Sequence, residues 1–167
     1  VKPMDAPEIR LFAPSSPEHW ADARAIFVEY GQSLDIDLAF QGFEEELAAL
    51  SRMYVSPEGI LLLATVDGAV AGCGAVRALA DVDYPNACEM KRLYVRPAYR
   101  GIGVGRMLAE CVIDEARAIG YATLKLDTLP SMNEAQRMYT ALGFLDVAPY
   151  NDNPVSGTRF MSLDLAR

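Results

Sequence analysis

Histidine is almost missing from this chain: 167 residues contain one, His19. A Ser/His/Asp triad is therefore improbable and a histidine-rich metal site has too few ligands, so no metal is expected. His19 falls in the first turn of an expected helix and is expected at the surface. Cysteine is scarce as well. Cys73, Cys88 and Cys111 are odd in number and lie in apolar, strand-like or helical surroundings. They read as reduced core thiols, in keeping with a cytosolic compartment. No apolar run reaches ~18 residues and no basic segment leads the chain, so neither a membrane span nor a secretion signal is expected. Positive charge is short: 15 Lys and Arg against 23 Asp and Glu give a formal net charge of −8. That disfavours nucleic acid and mildly favours a cationic partner such as an amine. Repeats, low-complexity tracts and linkers are absent too. The length suits one domain over 1–167, which at ~150 residues buries roughly 70% of its unfolded surface.

What is present alternates between strand and helix. A strand is expected at 8–12, then a helix opened by Ser16 as cap and Pro17 in its first turn, with Trp20, Ala23, Phe27 and Tyr30 at helical spacing. A shorter helix over 43–53 carries Leu47 and Leu50. Apolar strands at 60–66 and 70–76 flank Asp67-Gly68, a strong hairpin signal. A strand at 89–95, a helix at 103–119 stopped by Gly120, and a strand at 122–128 follow. The helix at 131–142 carries an expected capping box of Ser131 and Glu134 and is stopped by Gly143. Strands at 144–147 and 159–165 end the chain. This order predicts an α/β fold: a mixed sheet of about seven strands with four helices on its two faces.

The most informative stretch is residues 89–106, Glu-Met-Lys-Arg-Leu-Tyr-Val-Arg-Pro-Ala-Tyr-Arg-Gly-Ile-Gly-Val-Gly-Arg. A strand breaks at Pro97 and becomes glycine-rich where a helix begins. Gly101, Gly103 and Gly105 alternate with Ile102 and Val104. Alternating glycines let successive N–H groups turn toward one point, and the helix start adds partial positive charge. Arg100 and Arg106 flank the loop. Together they make a seat for phosphate, best matched by a pyrophosphate. A dinucleotide fingerprint needs G-x-G-x-x-G directly after a strand; here the third place holds Arg106 or Leu108, and five residues separate Val95 from Gly101. Asp127 stands at a tempting distance for the ribose acid but fails with that fingerprint. No Gly-Lys-Ser/Thr occurs, so a P-loop is excluded.

Arg100-x-x-Gly103-x-Gly105 after the Leu93-Tyr94-Val95 strand resembles the acetyl-CoA motif of the GCN5-related N-acetyltransferases (GNAT), and the resemblance covers about residues 60–165. Ala135-x-x-x-Tyr139-x-x-x-Gly143-Phe144 resembles the helix after the fifth strand of that superfamily. The resemblance implies the family fold, a mostly antiparallel twisted sheet whose fourth and fifth strands open to admit the pantetheine arm. It implies acetyl-CoA as cosubstrate, contacted by Leu93, Tyr94, Val95 and residues 100–106. It also implies that Tyr139 lies near the cofactor sulfur and that the Leu93 N–H is the oxyanion donor. Many relatives carry asparagine seven residues before that tyrosine; here Met132 stands there, and Asn133, one place later, is the candidate contact.

N-acetylation needs an amine freed of its proton, a held thioester and a donor for the developing oxyanion. With no histidine base, a carboxylate or a water relay must take the proton. Glu89, four residues before Leu93, matches by spacing the general-base glutamate of several histone-type relatives; otherwise it pairs with Lys91 or Arg92. The acceptor is expected to be a primary amine of a small molecule, amino acid or peptide. The acidic stretch 35–46 (Asp35, Asp37, Glu44, Glu45 and Glu46, with Phe40 and Phe43) is one place for a cationic amine, or a solvated helix start. The polar loop Tyr150-Asn151-Asp152-Asn153-Pro154 is another pocket wall. A non-catalytic acyl-CoA sensor, an acyltransferase using another chain or acceptor, and a homodimer remain open.

Overall fold

The computed structural model describes residues 6–34, 36–80 and 86–166, without the side chains of Phe40 and Gln41. Seven strands form one sheet: β1 (Ile9–Phe12), β2 (Ile60–Val66), β3 (Ala69–Ala78), β4 (Ala87–Val95), β5 (Thr123–Thr128), β6 (Leu145–Asp146) and β7 (Arg159–Asp164). Their spatial order is β1-β2-β3-β4-β5-β7-β6, and every pairing is antiparallel except β4 with β5. The expected α/β architecture, mixed and mostly antiparallel, is what forms.

Helices cover both faces. α1 (Pro17–Ser33), α2 (Phe43–Ala48) and α3 (Leu50–Met53) pack on one face, where Phe27, Leu47 and Leu50 meet Leu61, Leu63 and Ala75. On the other, α4 (Val104–Ile119) and α5 (Asn133–Ala141) bring Leu108, Val112 and Tyr139 against Leu62, Ala64 and Met90. Alternate residues of β2 thus enter different cores, which is why its sequence is apolar throughout.

Local signals were obeyed at most ends. Ser16 caps α1 by accepting from the His19 N–H, and Asp67 and Gly68, at φ 49° and 85°, turn the β2–β3 hairpin. Gly103 and Gly120 bound α4 in left-handed conformations. Two expectations fail. The helix over 43–53 breaks at Ala49 (φ −125°), giving five helices instead of four; the break lets Glu46, Leu47 and Leu50 all turn inward. The Ser131–Glu134 capping box does not form. A turn closed by Met132 N–H to the Leu129 carbonyl takes up Ser131, and α5 starts at Asn133 with no side-chain cap. Among the described residues no helix is long and apolar enough to cross a membrane.

Candidate active site

β4 and β5 pair over three positions only: Ala87 with Thr123, Cys88 with Leu124 and Glu89 with Lys125. Beyond that rung the two strands part. The cause is visible on the other edge of β4. Cys73 of β3 faces Tyr94 and Ala75 faces Lys91, so two β4 residues, Arg92 and Leu93, oppose Gly74 alone. Arg92 takes φ 60°, which is costly for a residue with a Cβ. The extra residue bends β4 away, and a cleft opens in the sheet.

At one end of the cleft lies a pocket of about 310 Å³ lined by Leu93, Tyr94 and Val95 of β4, Tyr99 and Arg100, the loop glycines 101, 103 and 105, Val104, and Glu134, Ala135 and Met138 of α5. Gly101 and Gly103 sit at φ 88° and 90°, and a Cβ on either would meet nothing within 4 Å. The glycines therefore serve backbone conformation and leave open space at the start of α4, where unpaired N–H groups collect. Arg100 is held by donating Nε–H to the Val95 carbonyl at 2.8 Å, its guanidinium 5.8 Å from the Tyr94 ring centre. A cradle of open backbone donors beside an arginine fits the diphosphate of coenzyme A. The side chains of three other motif residues are placed differently. Val104 is also packed in the core, Ile102 is exposed, and Arg106 pairs with Glu110 along α4 at 2.8 Å. Asn133 is exposed at the start of α5; its neighbours Glu134 and Ala135 line the pocket instead.

On the α1–α3 face the cleft continues into two further spaces. A small one, about 40 Å³, lies between Tyr30, Leu34, Ile36, Leu38, Lys91, Arg92 and Asp127. A larger one, about 360 Å³, is walled by Arg77, Leu79, Glu89, Lys91 and residues 150–153. Glu89 is 2% exposed and sits at the last paired rung of the fork. Its Oε2 accepts from the Tyr150 hydroxyl at 2.7 Å, and its Oε1 faces Arg77 Nη2 at 3.4 Å and Lys91 Nζ at 3.8 Å. Burial and the Glu89 charge hold the Tyr150 phenol far above its ordinary pKa, so it stays a donor. Burial pulls the Lys91 ammonium below its usual value, with Glu89 opposing. The 150–153 loop is pinned to β5: Asn151 and Asn153 both donate to Asp127 Oδ2, at 3.0 and 3.3 Å.

The acids of the 35–46 stretch do not face these spaces as a cluster. Glu46 is buried and accepts both Nε–H and Nη2–H of Arg92 at 2.9 Å. The Arg92 guanidinium stacks 5.1 Å from the Phe43 ring centre. Asp37 accepts from the Ala39 N–H, and Glu44 and Glu45 are exposed. Asp35 lies outside the described residues. Of the two expectations for this stretch, the solvated helix start describes Glu44 and Glu45, while Glu46 is paired internally; Ile36 and Leu38 are the described residues of the stretch that reach the pocket. His19 is half-buried, its ring 4.8 Å from Phe12 and away from the cleft.

Tyr139, on α5, lies in the core on the opposite face of the sheet and lines none of the three spaces, whereas Ala135 and Met138 of the same helix line the first. It is 6% exposed, packs 5.6 Å from Phe144, and its hydroxyl has no hydrogen bond among the described residues. Burial, then the Tyr30 phenol and the Asp127 charge, raise its pKa, so the hydroxyl keeps its proton. Cys73 and Cys88 are buried and Cys111 half-buried, all as free thiols; burial pushes Cys88 up to about 12. No metal-binding cluster occurs among the described residues.

Comparison with known proteins agrees with this geometry. Residues 19–144 match the family model described as "Acetyltransferase (GNAT) family". The chain belongs to the GNAT acetyltransferase family. It is 36% identical over 165 residues to an uncharacterised N-acetyltransferase of Schizosaccharomyces pombe, covering 98% of this chain and 99% of the relative. Among solved structures it resembles a GNAT-family acetyltransferase of Staphylococcus aureus, with a TM-score of 0.74, 19% identity and coverage of 95% and 99%. It also resembles yncA of Salmonella typhimurium, solved with its cofactor acetyl-CoA, with a TM-score of 0.65, 22% identity and 94% of each chain covered. The protein is thus an acetyltransferase.

Sequence reasoning missed part of this acetyltransferase's cleft. Arg77 went unremarked, and Lys91 and Arg92 entered only as partners for Glu89. Asp127 was set aside with the dinucleotide fingerprint, yet it anchors the 150–153 loop. The period-2 alternation of β3 and β4, which puts residues 77, 89 and 91 on one face, was the available signal for the first two.

Proposed function

We propose that this acetyltransferase moves the acetyl group of acetyl-CoA directly to a primary amine, with Glu89 as base and the Tyr139 hydroxyl hydrogen-bonding or protonating the leaving sulfur. One observation carries the reading: a single strand, β4, joins an open glycine cradle at its end to a buried carboxylate at the mouth of the fork.

Gly101, Gly103 and Gly105, with Arg100, hold the diphosphate, and Leu93, Tyr94 and Val95 guide the pantetheine arm into the cleft. The thioester supplies an activated acetyl carbon. Leu93, freed from ladder pairing by the bulge, offers its N–H to the carbonyl oxygen as negative charge gathers there. Glu89 and Leu93 are four residues apart, about 13 Å along an extended strand. The bulge shortens that span but leaves an amine attacking the acetyl carbon beside Leu93 beyond direct reach of Glu89, so Glu89 takes the amine proton through water. The C–N bond forms, the C–S bond breaks, and the electron pair leaves on sulfur, where the Tyr139 hydroxyl donates a hydrogen bond or its proton as the charge grows. Nothing covalent passes through the protein.

The test is release of free thiol from acetyl-CoA across a panel of amines, amino acids and short peptides. Release that depends on a particular amine, with the acetyl group found on its nitrogen, is expected; no release with any member would overturn the reading.

A further inference from the structure

Asp127 anchors the 150–153 loop with one oxygen only. Asn151 and Asn153 both donate to its Oδ2, and its Oδ1 makes no hydrogen bond or ion pair among the described residues. Oδ1 is not sealed in the core either, because only the Tyr54 hydroxyl is both buried and unpaired among the described side-chain atoms. An acceptor oxygen is thus turned to open space. That space is the smaller one on the α1–α3 face, which Asp127 lines with Tyr30, Met90, Lys91 and Arg92. Both cations there have carboxylate partners, Lys91 facing Glu89 and Arg92 bound to Glu46. Lys91 also feels the Asp127 charge, but no ion pair joins the two among the described residues. What Oδ1 lacks is a donor within reach rather than a countercharge.

The register brings this oxygen toward the reacting centre. Leu124 and Leu126 enter the α4–α5 core, so alternation sends Asp127 to the α1–α3 face. Glu89 is level with Lys125, which sets Asp127 level with Lys91, two residues short of Leu93. That is about 7 Å along the strands, half the span from Glu89. Asp127 also stands on the opposite bank of the cleft, so it faces whatever enters between the strands. Its charge reaches Tyr30 on one face of the sheet and Tyr139 on the other, as befits a group at the gap. The space in front of it, about 40 Å³, takes a few water-sized groups, enough for an amino nitrogen and the carbon that bears it.

From this placement we infer that Asp127 holds the acceptor nitrogen: its Oδ1 accepts an N–H of the incoming amine and aims the nitrogen at the acetyl carbon. The inference rests on the amine reading above and adds the acceptor-binding residue to it. A primary ammonium carries three protons and the amide keeps one. The first leaves through water to Glu89 and frees the lone pair that forms the C–N bond. The second is shed to water as the C–S bond breaks and its electron pair goes to sulfur. The third is the one that Asp127 holds throughout.

Asp127→Asn tests this selectively. The amide oxygen can still accept from Asn151 and Asn153, so the loop stays anchored, but an NH2 donor now meets the amine. With the best amine of the panel, KM should rise by more than about tenfold, the scale of one lost charge-assisted hydrogen bond. KM for acetyl-CoA should stay as it was. Asn151→Ala combined with Asn153→Ala releases the loop and leaves Asp127 in place; it should raise the amine KM less. An amine KM unmoved by Asp127→Asn, or raised equally by the double variant, would overturn the inference. If no amine at all releases thiol, the amine reading has failed, and calorimetry with coenzyme A present decides the Asp127 site alone. Tighter binding of n-butylamine than of n-butanol, with the difference lost in Asp127→Asn, upholds it, and equal binding sinks it.

Discussion

The two ends of the cleft are built on different principles. The glycine-loop end is contributed largely by one continuous stretch from Leu93 to Gly105, and in the proposed reading it takes its ligand through backbone N–H groups whose direction glycine dictates. The opposite end is made of side chains from β3, β4, the 34–38 segment, β5 and the 150–153 loop. A site of the first kind keeps one ligand through large changes in sequence elsewhere. One of the second kind changes its ligand with each side chain replaced. This division suits an enzyme that has one donor and must choose its acceptor.

Four experiments sharpen the contrast. The largest effect is expected on the side-chain end. Glu89→Gln keeps shape and removes the base, so turnover near neutral pH should fall roughly 10²–10⁴-fold, the usual range for general-base loss. The deficit should shrink as pH rises toward the amine's own pKa. A pH–rate profile superimposable on that of the unaltered enzyme would leave Glu89 a structural role only.

Tyr139→Phe deletes one hydroxyl and keeps the ring against Phe144. Turnover should drop roughly 10–100-fold, at the low end for acid catalysis because a thiolate leaves tolerably well unaided. Acetyl-CoA affinity and melting temperature should barely move. Turnover within twofold of the original would remove Tyr139 from the mechanism.

At the backbone end, Gly103→Asp places a negative charge in the open seat and a Cβ on a residue at φ 90°. Calorimetry should show acetyl-CoA binding weakened by more than about tenfold, or 1.4 kcal/mol, with an unchanged circular dichroism spectrum. Undiminished binding would move the diphosphate away from this loop.

The smallest effect concerns stability in alkali. Burial raises the pKa of Tyr54, Tyr139 and Tyr150 and of Cys73 and Cys88. Below the unfolded values, ~8.5 for thiols and ~10 for phenols, both states hold these protons and no stability is lost. As pH climbs past them the unfolded chain releases protons that the fold retains. Unfolding then becomes easier, by up to ~1.4 kcal/mol per pH unit for each group. Lys91, shifted downward, works the other way and stabilises the fold as pH rises toward ~10.4. Two thiols below pH ~10, joined by three phenols above it, outweigh one lysine, so the urea midpoint should fall between pH ~8.5 and ~10.5, most steeply at the top of that range. A flat midpoint would mean that these groups are solvated in the fold.

How much the sequence disclosed follows the same division. Features written in backbone conformation were readable because their residues are neighbours: Ser16-Pro17, Asp67-Gly68, and the 100–105 loop all do what their local chemistry demands. Glu89 and Tyr150 were each singled out, but nothing local says that they join, since 61 positions separate them. The Arg92–Glu46 pair spans 46 residues, and it draws one acid of an otherwise exposed acidic helix start into an internal strut. The Ser131–Glu134 box failed for a related reason. Its signal was sound locally, but the Leu129–Met132 turn claimed the residue first. Asp127 was judged against the wrong ligand and so was not judged as a loop anchor.

The parting of β4 from β5 has a mechanical side. Four strands lie on one side of the fork and three on the other, and between them the hydrogen-bonded connection is three rungs wide. The sheet is therefore two plates with a narrow joint, and a ligand laid along the cleft bridges what the ladder leaves apart. Acetyl-CoA should thus act as a structural member as well as a reactant. At a hundred times its dissociation constant, mass action alone adds about 2.7 kcal/mol to the folded state. Amide exchange at Met90–Val95 and Leu126–Thr128, the free banks of the cleft, should slow more on binding than exchange at the far edge in β1.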